Sequence, residues 1–181
     1  IMKVFKFGGA SVKDATGVKN LSSIVHQQQG QLIVVVSAMG KTTNLLETLC
    51  NAYFHQDPQA TAIMKELKNF HLDIVNALFP LNDSVYKHLE ELFTNLENIL
   101  SSESSLCYDY EYDRIISFGE LISTTIISDY LNMEGIENQF IDIRKFLKTD
   151  QNYRNANIDL ELSEQLCKDA FDFNTSSLFV T

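Results

Sequence analysis

Proline is almost missing from this chain: two occur in 181 residues, with seven glycines, three cysteines and no tryptophan. So little proline and glycine excludes collagen-like and linker-like chains. Cys50, Cys107 and Cys167 stand far apart, odd in number and without a C-x-x-C pair. That excludes a disulfide framework or a zinc site, and it reads as a reducing compartment with three small apolar fillers. The histidines (His26, His55, His71, His88) are equally scattered. No two share ligand spacing with a suitable carboxylate, so no metal site is expected and a surface or interface place is expected for each. No apolar run approaches the ~20 residues needed to span a bilayer. The first residues form a strand pattern rather than a signal-peptide profile. A cytoplasmic protein is expected, with Met2 its natural start and Ile1 extraneous.

What is present fits a folded domain. Hydrophobic residues make up 45% and charged residues 21%, too apolar for a disordered chain. At this length a single domain buries roughly 70% of its unfolded surface, so one sizeable core is expected. The net charge of −10 repels nucleic acid and anionic membranes, and neither is expected as a partner. The charge is uneven. Residues 1–41 carry five lysines against Asp14, and the remainder carries nine basic and 23 acidic residues. An anionic ligand should therefore be received by the first forty residues.

Hydrophobic spacing gives the organisation. Residues 2–7 alternate and stop at Gly8-Gly9, a strand closed by a turn. Asp14 to Gln29 carries Val18, Leu21, Ile24 and Val25 at helical spacing. Residues 31–36 (QLIVVV) form a near-continuous β-branched run, the pattern of a parallel strand buried on both faces. A polar loop, 37–44, then leads into another helix. Two amphipathic stripes follow at about 62–100 (Ile63 to Leu78, then Val85 to Ile99), predicting an antiparallel helical pair. A further helix is predicted from Asp113 to Gly135, a strand over 139–143, a helix over 160–170 and a strand from Leu178. The expected architecture is α/β: three αβα layers around a mainly parallel sheet, with the helical pair as an excursion.

Three clusters carry chemistry. In Lys6-Phe7-Gly8-Gly9-Ala10-Ser11 a lysine near a strand end precedes paired glycines. Consecutive amides can converge there on an anion while the ammonium adds a point charge. The place matters, because open α/β sheets bind ligands beyond the carboxyl ends of their strands. The loop Ser37-Ala38-Met39-Gly40-Lys41-Thr42-Thr43-Asn44 offers three hydroxyls, an amide and a cation. It reads equally as a polar loop with Thr43 capping the next helix. In Ser117-Phe118-Gly119-Glu120 the acid early in an apolar helix reads best as a partner of the helix dipole.

Together, Lys6 to Val12, Ser37 to Asn44 and Gly119-Glu120-Leu121-Ile122-Ser123 resemble the successive signatures of the aspartokinases, within the amino acid kinase superfamily. Phe140-Ile141-Asp142-Ile143-Arg144-Lys145 resembles the family's strand and turn beyond the third. The resemblance implies transfer of the ATP γ-phosphoryl group to the side-chain carboxylate of L-aspartate, the first step towards lysine, threonine and methionine. On it, Lys6 is the catalytic residue bridging the phosphates, and Lys6, Phe7, Gly8, Gly9 and Ala10 form the ATP and phosphate site. Ser37 and Thr43 bind substrate, and Glu120 changes from dipole partner to receiver of the aspartate ammonium. Mg²⁺ is implied, held mainly by the ATP phosphates, and the parent enzyme is implied to be a homo-oligomer. A carboxylate nucleophile is already ionised at pH 7, so the chemistry asks for positioning and charge neutralisation rather than a base.

The chain departs from the family pattern in two ways. Ala10 stands where the family has threonine, and no glycine follows Gly135, so the family's Gly-Gly-Ser-Asp segment is missing. The resemblance therefore implies that residues 1–181 are a single N-terminal lobe of the kinase domain. The nucleotide-binding half and regulatory domains lie outside it, and the lobe is expected to be inactive alone. The competing readings are a non-catalytic lobe that binds an anion or a partner, and another member of the amino acid kinase family.

Overall fold

The computed structural model describes residues 1–181. Strand β1 (Lys3–Phe7) runs through a 3-10 turn at Gly9–Val12 into helix α1 (Ala15–His26). Asp14 caps α1, its carboxylate accepting the Gly17 N–H at 2.8 Å. Strand β2 (Leu32–Val36) returns parallel to β1, with Lys6 beside Val35 and Phe7 beside Val36. Helices α2 (Thr42–Phe54), α3 (Ala60–Leu78), α4 (Ser84–Leu100), α5 (Tyr108–Ile116) and α6 (Phe118–Met133) follow. The chain closes with β3 (Gln139–Phe140), α7 (Leu160–Ala170) and β4 (Leu178–Val180).

All four strands are parallel, in the order β1-β2-β4-β3. The β1-to-β2 and β3-to-β4 crossovers run in opposite directions across the sheet. Right-handed connections therefore put α1 and α7 on opposite faces, which makes three layers. Packing agrees with this. Leu32, Val34, Val36, Leu178 and Val180 share one core with Val18, Leu21 and Val25 of α1 and Ile122, Ile126 and Leu131 of α6. Phe179 points the other way, edge-on to Phe171 and Phe173 at 5.4 and 5.2 Å just beyond α7. The helical excursion is α3 and α4, which add Leu67, Val75, Leu89 and Phe93 to the same core. Helix α3 packs chiefly on α2, and α4 on α6.

Five expectations need correction. Strand 139–143 shrinks to two residues, because the Asp142 carboxylate accepts the Arg144 N–H at 3.2 Å and opens a 3-10 turn at Ile143–Lys145. The helix expected from Asp113 is two helices broken at Ser117, where the backbone bonds Ser117 N–H to Asp113 O and Leu121 N–H to Ser117 O lengthen to 3.4 and 3.3 Å. Strand β2 is fully buried on one face only. Ile33 and Val35 are half-buried because the far layer covers the β4 side of the sheet. Finally, His71 is completely buried rather than at the surface, and of the cysteines only Cys50 is buried, with Cys107 exposed.

Candidate active site

Parallel pairing of β1 and β2 puts the turn after Phe7 and the loop after Val36 on one edge of the sheet. Direct bonds then join them. The Ser37 N–H donates to Phe7 O, and the Gly40 N–H donates to Gly9 O, each at 3.0 Å. The approach is close enough that a Cβ on Gly9 would sit 2.6 Å from Ala38 O. Glycine is required here for contact between the two backbones. Below the turn, the Ser11 N–H bonds Gly8 O at 2.9 Å, and Val12 is buried as its anchor.

Helix α6 delivers the third element. Ser123 Oγ donates to Ser37 O at 2.8 Å, and a Glu120 carboxylate oxygen lies 3.4 Å from the Ala38 N–H as its acceptor. Gly119 lets the helix come this close, since a Cβ there would meet the Ala38 Cβ at 2.9 Å and Leu46 Cδ1 at 3.2 Å. The structure thus brings together Phe7, Gly8, Gly9, Ser37 and Glu120. Lys6 is exposed on β1, and its position beside Val35 places it on the sheet face opposite the main core. Ala10 is exposed in the 3-10 turn. Thr43 is exposed in the first turn of α2 and does not cap it: the helix begins at Thr42, with Lys41 at the cap position.

Ser117 and Arg144 stand within motifs read from the sequence, but neither was given a role there. Together with Glu120, Thr124, Phe140 and Thr181 they line a cleft of about 210 Å³ at the same edge. The Arg144 guanidinium grips Asp142 at 2.9 and 2.8 Å and reaches Ser117 Oγ at 3.2 Å. Hydrogen bonding by Arg144 holds the Asp142 carboxyl below its ordinary range. The pair was visible only as part of the Phe140–Lys145 stretch. Its contact with Ser117 needs the break between α5 and α6, which no periodicity announces. No group of three or more His, Cys, Asp or Glu side chains comes together as a metal site, and no helix is long and apolar enough to cross a membrane.

A donor-rich edge on a parallel α/β sheet thus joins two glycine-bearing loops, with an acid hydrogen-bonded to one of them. The chain belongs to the amino acid kinase family, whose model matches residues 2–174. Within that class it is similar to aspartokinases. It is 32% identical over 164 residues to the chloroplastic aspartokinase 2 of Arabidopsis thaliana, covering 86% of this chain and 29% of that protein. Its fold matches crystal structures of Escherichia coli aspartokinase III, one with lysine and aspartate (TM-score 0.86) and one with aspartate and ADP (TM-score 0.83). Each is 24% identical and covers 99% of this chain and 40% of that one. The chain therefore spans well under half the length of these relatives.

Proposed function

We propose that these 181 residues are the N-terminal lobe of an aspartate kinase, which transfers the γ-phosphoryl group of ATP to the side-chain carboxylate of L-aspartate. The observation that carries this reading is the triple junction at the sheet edge. The glycine turn and the 37–44 loop are hydrogen-bonded to each other, and α6 fastens Glu120 to that loop. The aspartate and ADP held by the Escherichia coli structure support the same choice of ligands.

In this reading the Glu120 carboxylate receives the aspartate ammonium, while Ser37 and Thr43 donate to the aspartate carboxylates. The side-chain carboxylate is left aimed at the γ-phosphorus. A carboxylate oxygen forms the new P–O bond as the bond to the β-phosphate oxygen breaks, and ADP leaves with that electron pair. Lys6 and the amides of Gly8, Gly9 and Ala10 offset the charge gathering on the phosphoryl oxygens. Magnesium would travel on the ATP phosphates. The test is ADP release with MgATP and L-aspartate, measured for the complete kinase carrying this lobe and for residues 1–181 alone. Turnover by the complete kinase and none by the lobe is expected, because orientation helps only when both substrates are held together. A complete protein that releases no ADP with aspartate would leave a non-catalytic binding lobe.

A further inference from the structure

Helix α3, which carries none of the site residues named so far, touches the 37–44 loop at two points. Phe70 lies against Gly40: a Cβ there would be 3.3 Å from the ring's Cζ, and Gly40 has φ +56°, the left-handed region. The next residue, His71, is 0% exposed. Its Nδ1 is 2.8 Å from Leu67 O and its Nε2 is 3.3 Å from Thr42 Oγ1. Thr42 Oγ1 donates to Met39 O at 2.6 Å, and the Thr42 N–H bonds the same carbonyl at 3.0 Å.

These distances fix the roles. A carbonyl only accepts, so the His71 proton sits on Nδ1 and is given to Leu67 O, which leaves Nε2 an acceptor that shares the one Thr42 hydroxyl proton with Met39 O. Burial disfavours the charged ring and pushes its pKa down to about 4. A leucine would fill this site without the cost of desolvating two nitrogens. What histidine adds is direction: one nitrogen held by its own helix, the other set on the residue between Lys41 and Thr43.

We propose that His71 is a positioning residue for the 37–44 loop, fixing Thr42 so that Ser37 and Thr43 present their hydroxyls to a substrate carboxylate. This rests on the reading of that loop as an aspartate site.

The test is an L-aspartate titration of the chain, followed on backbone amide resonances, for wild type, His71→Asn, His71→Gln and Thr42→Val, with melting temperatures alongside. Asparagine can keep the bond to Leu67 O but stops short of Thr42, whereas glutamine can reach the Nε2 position. His71→Asn should melt near wild type yet bind aspartate about ten-fold more weakly, with displaced Thr42 and Thr43 amides. His71→Gln should recover most of the affinity. Thr42→Val cuts the same contact from the loop side and should match His71→Asn, with no further loss in the double variant. Unchanged affinity and unchanged loop amides in a folded His71→Asn, or in Thr42→Val if the former does not fold, overturn the proposal. Should wild type show no aspartate-dependent shifts, the aspartate reading fails separately. Amide exchange at 40–44 then decides the positioning role: faster in His71→Asn and restored in His71→Gln supports it, and no change overturns it.

Discussion

Glu120 shows how one side chain carries two loads. Its carboxylate anchors the Ala38 N–H from an exposed position at the sheet edge, and in the proposed mechanism it also meets an ammonium. Glu120→Gln keeps an acceptor oxygen for the loop and removes the charge. The KM for aspartate should rise about ten- to a hundred-fold while the melting temperature holds, as steady-state kinetics and a thermal scan would show. His71 makes a prediction on stability. Its ring is neutral when folded down to about pH 4, whereas an unfolded histidine takes up a proton near 6.5. As pH falls from about 6.5 to about 4 the unfolded state gains protons first, so stability drops by up to about 1.4 kcal/mol per pH unit. Urea titrations at pH 7.5, 6 and 5 should show this loss in wild type and lack that share of it in His71→Asn. The burial of His71 was open to reading: it lies four residues from Leu67 and four from Val75, on the stripe that faces the core. Its bond to Thr42 was not, because that bond joins residues 29 apart in sequence.

Among the elements, those with long regular stripes were legible and those decided by a neighbour were not. The β1-α1-β2 opening and the two helices over 60–100 follow from period and punctuation alone. The break at Ser117 depends on what crosses the helix. Gly119 must let Ala38 and Leu46 approach, and Arg144 reaches back from beyond β3 to the Ser117 hydroxyl. Gly9 is the matching point on the turn; the sequence pattern suggested it as a source of anion-facing amides and gave Gly119 no duty, whereas the duty of both is contact. Gly9→Ala would drive a Cβ to 2.6 Å from a backbone carbonyl, and Gly119→Ala would meet the Ala38 Cβ at 2.9 Å. Each should cost about 1–3 kcal/mol in denaturant unfolding. Gly8→Ala, with nothing within 4 Å of the added carbon, should cost far less.

At the scale of the molecule, the sheet explains why the lysine-rich start and the acidic remainder meet at one edge. Parallel strands bring the ends of β1 and β2 together, and the crossover through five helices returns α6 to the same place. The parallel αβα class, and the meeting of the two glycine-bearing loops at the strand ends, could be read from the βαβα opening. The insertion of β4 between β2 and β3 could not, since a three-residue strand says nothing of its neighbours. Val4 is 56% exposed, and Ile33 and Val35 are half-buried on the face that carries Lys6. That side of the sheet is therefore open around the proposed catalytic lysine. Its role is the centre of the account, and the product of the reaction tests it most directly. Aspartyl phosphate is an acyl phosphate, so hydroxylamine traps it as a hydroxamate. With MgATP and L-aspartate, the complete kinase should form hydroxamate, and Lys6→Ala should form it about 10²–10³-fold more slowly at saturating aspartate. Equal rates in the two proteins, or no hydroxamate from aspartate in either, would contradict it.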